Sequence, residues 1–231
     1  MKIGIIGAGN MGGAIARGLA ADPDFCTADI TVCSPNNHGE LDALKADYPD
    51  MNVDTDNEKA ILGTDIIILA VKPWLVYDVM DPLSPKIQWE KQMLVSVAAG
   101  ITLSQLEDLS LCTPPAVFRV MPNTAIAVRK SMTFICSIGA SDEQIKSVSD
   151  IFSRLGSVMV IDENQMTACM ALASCGIAYA MRYVRAASEG GVELGVKKGK
   201  DIIPDTSLAL STALNKSAFP QAELDTAQAV N

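Results

Sequence analysis

The residues with the clearest chemical potential stand at the front of the chain, in Gly7-Ala8-Gly9-Asn10-Met11-Gly12. A G-x-G-x-x-G turn that leaves a strand and opens a helix suits a dinucleotide. Its first glycine (Gly7) permits the tight turn, its second (Gly9) lets a pyrophosphate reach the backbone, and its third (Gly12) lets helix and strand pack closely. The unpaired N–H groups of the helix then face the phosphates. The flanks supply that context: Lys2-Ile3-Gly4-Ile5-Ile6 is a short apolar run, and Gly13-Ala14-Ile15-Ala16-Arg17-Gly18-Leu19 is Ala-rich and helical in pattern.

About 20 residues beyond such a motif, an NAD enzyme usually places Asp or Glu on the ribose 2′-hydroxyl. Here the second strand, Asp29-Ile30-Thr31-Val32-Cys33, is followed by Ser34-Pro35-Asn36-Asn37-His38, with no acid in that slot. Neutral donors tolerate a 2′-phosphate that a carboxylate repels, so NADP is expected over NAD, although no arginine is present in the segment to grip it. Pro35-Asn36-Asn37 must also form a turn.

Ligands of a doubly wound sheet bind at the carboxyl ends of its strands. The remaining ends are Ala70-Val71-Lys72-Pro73, Ala98-Ala99-Gly100 and Val120-Met121-Pro122-Asn123-Thr124. Small or Pro-containing turns suit a flat nicotinamide ring approached by backbone. Lys72 could reach ribose or phosphate, or simply be solvated, and Pro122 could fix a turn that aims the Asn123 amide. The single histidine, His38, lies in the turn after the second strand, which nearly excludes a histidine acid in a hydride-transfer site. Six cysteines without a C-x-x-C pair are expected to be free, mostly buried thiols; no metal site is expected.

The elements that must position these groups alternate between strand and helix to about residue 160. A helix is expected over 40–48 and a short strand at Asn52-Val53. Thr55-Asp56-Asn57-Glu58 has capping-box spacing and opens a brief helix into Ile61-Leu62. The continuous apolar run from Asp65 to Ala70 is a fully buried strand. Met93 to Val97, Ala116 to Arg119, Met132 to Cys136 and Val158 to Ile161 are further strands. Thr102 and Ser141 cap helices, the second stopped by Gly156. The result is an α/β fold, a doubly wound, mostly parallel Rossmann-type sheet over residues 1–161. From Asp162 the texture becomes helical through Met166, Met170, Met181 and Val184. An all-helical substrate and dimerisation domain is expected over 162–231, incomplete as written.

Half the 231 residues are hydrophobic, enough for a sizeable core. A net charge of −9 argues against nucleic acid or anionic membrane as partner. The longest aliphatic stretch, Ile66 to Val71, is too short to span a bilayer. With the first strand starting at residue 2, no signal peptide is expected and the setting is expected to be cytoplasmic.

In order and spacing, Gly7 to Gly12, Ser34-Pro35-Asn36, Thr55-Asp56-Asn57, Ala70 to Pro73, Ala98 to Gly100 and Met121-Pro122-Asn123-Thr124 resemble pyrroline-5-carboxylate reductase, from residue 1 to about 195. The resemblance implies NADPH-dependent reduction of a cyclic imino acid to L-proline, the last step of proline biosynthesis. It implies that the segments at Gly7 to Gly12, Ser34, Asn57, Ala70 to Pro73 and Ala98 to Gly100 hold the dinucleotide, and that Glu163 lies near it. It further implies a homodimer or larger homo-oligomer interlocked through the C-terminal helices. The imine is then expected between Met121–Thr124 and the break at Ser174-Cys175-Gly176, with Asn123, Thr124, Cys175 and Gly176 positioning it.

Two departures stand out. The family's hydroxyl- and proline-bearing helix break is here Ala173-Ser174-Cys175-Gly176-Ile177-Ala178-Tyr179, and the glycine-rich loop expected after Pro220 to Asp225 does not follow. Loss of that loop is the feature that favours a non-catalytic NADP-binding regulator. A β-hydroxyacid dehydrogenase would need a proton-donating lysine on the helix from Asn164 to Glu189, which holds only Arg182 and Arg185.

Overall fold

The computed structural model describes residues 1–110 and 115–193. Cys112, the loop expected after residue 225 and most of the expected helical domain lie outside the described residues.

Eight strands form one sheet in the order β3-β2-β1-β4-β5-β6-β7-β8. They are β1 (Ile3–Ile6), β2 (Ile30–Cys33), β3 (Asn52–Asp54), β4 (Ile66–Leu69), β5 (Met93–Ser96), β6 (Val117–Met121), β7 (Ser131–Ile138) and β8 (Gly156–Val160). All neighbours run parallel except β6 and β7. That pair is joined by the 3-10 turn Thr124–Val128, too short for the crossover a parallel pair needs. β1, β4 and β5 are buried at every position, as continuous apolar runs in a two-sided sheet should be.

Seven α-helices complete the described chain: α1 (Asn10–Ala20), α2 (His38–Asp47), α3 (Val76–Met80), α4 (Leu103–Glu107), α5 (Asp142–Ser153), α6 (Met166–Met170) and α7 (Gly176–Glu193). One core forms around Ile3, Ile15, Leu19, Phe118 and Phe152, with α1 and α5 packed on it. A second lies around Ile67, Val76, Leu94, Leu106 and Met166. The sheet is thus covered on both faces.

Local stops and starts follow side-chain hydrogen bonds. Thr102 and Ser141 each close a reciprocal capping box, with Gln105 and Gln144. At residues 55–58 the cap is Asp56 and not Thr55: its carboxylate accepts from the Glu58 N–H at 2.9 Å and opens a 3-10 turn, Asn57–Ala60. Gly156 does not stop α5, which ends at Ser153. It begins β8 at φ +143°, where a Cβ would stand 2.1 Å from the Ser131 carbonyl oxygen.

The chain divides into two compact units, Met1–Ser174 and the segment from Cys175 onward. In the first, Asp162 caps the 3-10 turn Glu163–Gln165, and α6 follows with Met166 fully buried. Met166 is therefore core and not the oligomer surface expected for it, and Val184 is buried too. The small-residue break is a π turn, Ala171–Cys175, a local widening of the helix. In the second unit α7 is exposed along most of its length, with Tyr179, Met181 and Tyr183 open to solvent.

Among the described residues Cys26, Cys33, Cys136, Cys169 and Cys175 are free, but only Cys33 and Cys136 are buried. Burial pushes their thiols up to about 12 and about 11, so both are inert.

Candidate functional site

β1 pairs with β2 on one side and β4 on the other, so the strand order reverses between β1 and β4. A crevice must open beyond their carboxyl ends, and the glycine turn sits there. Gly7 adopts φ +104°, and a Cβ on it would meet the Ala70 carbonyl oxygen at 2.6 Å. Gly12 is held as tightly, since a Cβ there would stand 1.9 Å from the Gly7 carbonyl oxygen. These two contacts bring α1 down onto β1 and β4. Gly9 is different: a Cβ there meets nothing within 4 Å and would project into open space. Gly9 also begins α1 without a side-chain cap, leaving first-turn N–H groups free for an acceptor.

The crevice has a volume of about 710 Å3. Gly7, Ala8, Gly9, Asn10 and Met11 form its floor, with Ser34, Asn36 and Asn57 at one end. Ala70, Val71, Lys72 and Pro73 form one wall, and Ala98, Ala99 and Thr124 close the other end. One polar group at the Ser34 end lacks a partner: the Asn57 Oδ1 is buried without a donor. Ser34 itself is buried just after β2 and lines the crevice. An unpaired buried acceptor costs roughly 1–3 kcal/mol, which a ligand donor would recover. Free N–H groups, an open Gly9 and the unpaired Asn57 Oδ1 at the ribose end together fit a dinucleotide.

Several expected residues lie elsewhere. Gly12 is packed beneath the floor. Gly100, at φ +83°, is exposed in the turn after β5 and does not line the crevice. Met121, Pro122 and Asn123 are buried behind Thr124. Asn123 does not hold its amide free: its Oδ1 accepts from Ala125 N–H at 3.0 Å and its Nδ2 lies 3.5 Å from the Met132 carbonyl. It caps the 3-10 turn that carries Thr124. The Pro122 carbonyl accepts from the Ser174 hydroxyl at 3.2 Å. Cys175 and Gly176 belong to the second unit. His38 is exposed at the start of α2 and does not line the crevice.

Glu163 also stands apart from the crevice. Its Oε1 accepts from Arg119 Nη1 at 2.9 Å and from the Leu103 N–H at 2.8 Å. It thereby ties the start of α6 to β6 and to the first turn of α4. Ala14, Leu75, Val79, Val97, Ile126 and Ala127 also line the crevice, apolar positions that carry no chemical signal in the sequence. Asn37, in the turn after β2, lines it as well, and its Nδ2 donates to the Ala8 carbonyl.

A family model described as NADP oxidoreductase, coenzyme F420-dependent, matches residues 2–100. A Methanosarcina acetivorans pyrroline-5-carboxylate reductase is 32% identical over 228 residues, covering 93% of this chain and 81% of its own length. Pyrroline-5-carboxylate reductase 1 of Dictyostelium discoideum is 31% identical over 96% of this chain, which spans only 42% of that relative. The crystal structure of Plasmodium falciparum pyrroline carboxylate reductase with NADP bound superposes with a TM-score of 0.82 at 26% identity, over 97% of this chain and 82% of that one. With a third of its residues shared along nearly its whole length, and a glycine-floored crevice at the switch point of its sheet, the chain belongs to the pyrroline-5-carboxylate reductase family.

Proposed function

We infer that this chain reduces 1-pyrroline-5-carboxylate to L-proline with NADPH, completing proline biosynthesis. The crevice carries the inference. It runs from Ser34 and the unpaired Asn57 Oδ1 across the α1 N-terminus to Thr124, and among the described residues Lys72 is the only titratable side chain on its lining. A five-membered imine is readily protonated near neutral pH and then needs no proton donor in the enzyme. What it needs is placement of the imine carbon against the hydride donor, a proximity effect.

The residues divide that work. First-turn N–H groups of α1 bind the pyrophosphate, with Gly9 giving it room. Ser34 and Asn57 bind the adenosine end. Ala98, Ala99 and Thr124 shape the nicotinamide end, and Asn123 acts through the backbone by fixing the turn that holds Thr124. NADPH supplies the hydride when bound. The substrate carboxylate needs backbone N–H donors.

A β-hydroxyacid dehydrogenase lacks support because no lysine stands between Asn164 and Glu189. Incubation with NADPH and pyrroline-5-carboxylate should consume the cofactor, whereas β-hydroxyacids with NADP should yield none. NADPH should turn over faster than NADH, and Ser34→Asp should reverse that order by repelling the 2′-phosphate. A tenfold native preference for NADH would contradict the cofactor assignment.

We also place the chain in a homodimer or larger homo-oligomer. The support is α7, whose Tyr179 and Tyr183 stand four residues apart on one face at 70% and 73% exposure. Apolar and aromatic surface of this kind is rarely left open on a monomer. Light scattering at micromolar concentration should give at least twice the chain mass, and a monomer mass would refute the assembly. Among the described residues no helix is long and apolar enough to cross a membrane. The free thiols suit a reducing, cytoplasmic setting.

A further inference from the structure

No arginine lies in the segment Ser34–Asn37, yet the fold brings one alongside it from another element. Arg17, on α1, lines a hollow of about 360 Å3 together with Asn37 and with Glu40 of the first turn of α2. Ala8, Gly9 and Asn10 line both this hollow and the main crevice, so the two are continuous. The Arg17 guanidinium donates to the Glu40 carboxylate, and its Nε lies 3.9 Å from Asp47. Both partners of the Arg17–Glu40 pair are about one-third exposed or less, at 33% and 27%. α2 has no side-chain cap, so its first N–H groups are also free.

The hollow beside the adenosine end therefore holds the Arg17 cation, paired with Glu40 and, at longer range, with Asp47. A phosphate monoester bears close to two negative charges near neutral pH. It would compete with Glu40 for Arg17 while being repelled by Glu40 itself. We propose that the Arg17–Glu40 pair sets the discrimination between NADPH and NADH, with Arg17 the cation for the 2′-phosphate and Glu40 its competitor. This rests on the NADPH-dependent function inferred above. A dinucleotide without the 2′-phosphate gains nothing from Arg17 and is not opposed by Glu40, so the pair moves one affinity and spares the other. The effect is that of a partly screened charge, moderate and salt-dependent.

The test is titration of the parent protein, Glu40→Gln, Arg17→Gln and Arg17→Lys with NADPH and with NADH, followed by nicotinamide fluorescence. Gln at residue 40 still accepts the Arg17 hydrogen bond, so the helices stay tied. Glu40→Gln should tighten NADPH by about threefold to tenfold, and Arg17→Gln should weaken it by about tenfold, as expected for a charge-assisted contact. Arg17→Lys should fall between Arg17→Gln and the parent. NADH should stay within about twofold throughout, and added salt should shrink the differences for NADPH. An unchanged NADPH-to-NADH affinity ratio across the set, or a lower ratio in Glu40→Gln, overturns the proposal and leaves the cofactor assignment standing. A parent protein that binds neither dinucleotide overturns both.

Discussion

Gly9→Val is expected to abolish NADPH binding while the protein stays folded. A Cβ at this position meets no atom within 4 Å, and the backbone is extended at φ −84° and ψ −168°, so valine introduces neither clash nor strain. Valine is a poorer N-cap than glycine, which should cost about 1 kcal/mol and lower Tm by only ~2–4 °C in a chain of this size. Its methyl groups would occupy the space from which first-turn N–H groups reach a pyrophosphate. Losing two such charge-assisted hydrogen bonds, each ~1.5–3 kcal/mol, should weaken NADPH at least about a hundredfold. Gly12→Val reverses the pattern. Its Cβ would stand 1.9 Å from the Gly7 carbonyl oxygen, so folding should fail before binding can be measured. Calorimetric titration and thermal melts separate the two. Parent-like NADPH affinity in Gly9→Val would contradict the placement of the cofactor.

Glu163→Ala is expected to act in the opposite sense, on stability more than on the cofactor. The Arg119 side chain is 9% exposed and its Nε has no partner, so Glu163 is the only carboxylate in contact with it among the described residues. Removing that carboxylate leaves a nearly buried guanidinium uncompensated. Breaking a buried pair costs about 3–5 kcal/mol, and the 33% exposure of Glu163 lowers the expectation to about 2–3. Tm should fall by roughly 4–12 °C, while the NADPH dissociation constant should move by less than about threefold. Glu163→Gln, which keeps an acceptor for Arg119 and Leu103, should lose less. If Tm holds while NADPH affinity collapses, Glu163 acts through the cofactor, as the family resemblance implies.

What could be foreseen from the sequence and what could not divides along sequence separation. Gly7 and Gly12 announce their roles because positive φ and close backbone approach are local demands that only glycine meets. The apolar runs of β1, β4 and β5 are legible because a parallel sheet covered on both faces admits no alternation. Thr102 and Ser141 are legible because a capping box spans four residues. At Thr55-Asp56 the choice of cap is not legible, because either side chain can cap. The choice fell to Asp54, whose carboxylate accepts from the Asp56 N–H at 2.8 Å and sets the turn one residue later.

The less legible features depend on distant partners. Arg119 and Glu163 are 44 residues apart, and only the finished sheet brings them together. Arg17 and Glu40 meet across two helices 23 residues apart, so a search for a phosphate-binding arginine confined to the β2 turn could not find one. Met166 carries an apolar signal that suits a subunit interface as well as a core. Its burial was decided by α6 packing against β7.

The most direct measurement follows the hydride itself. NADPH carrying deuterium at the transferred position of C4 should be consumed one-for-one with pyrroline-5-carboxylate. The proline formed should hold that deuterium on the ring carbon bonded to nitrogen and remote from the carboxylate, and Gly9→Val should form none. Proline without the label, or binding of NADPH with no consumption in the presence of the imine, would contradict the assignment of this crevice as an imine-reducing site.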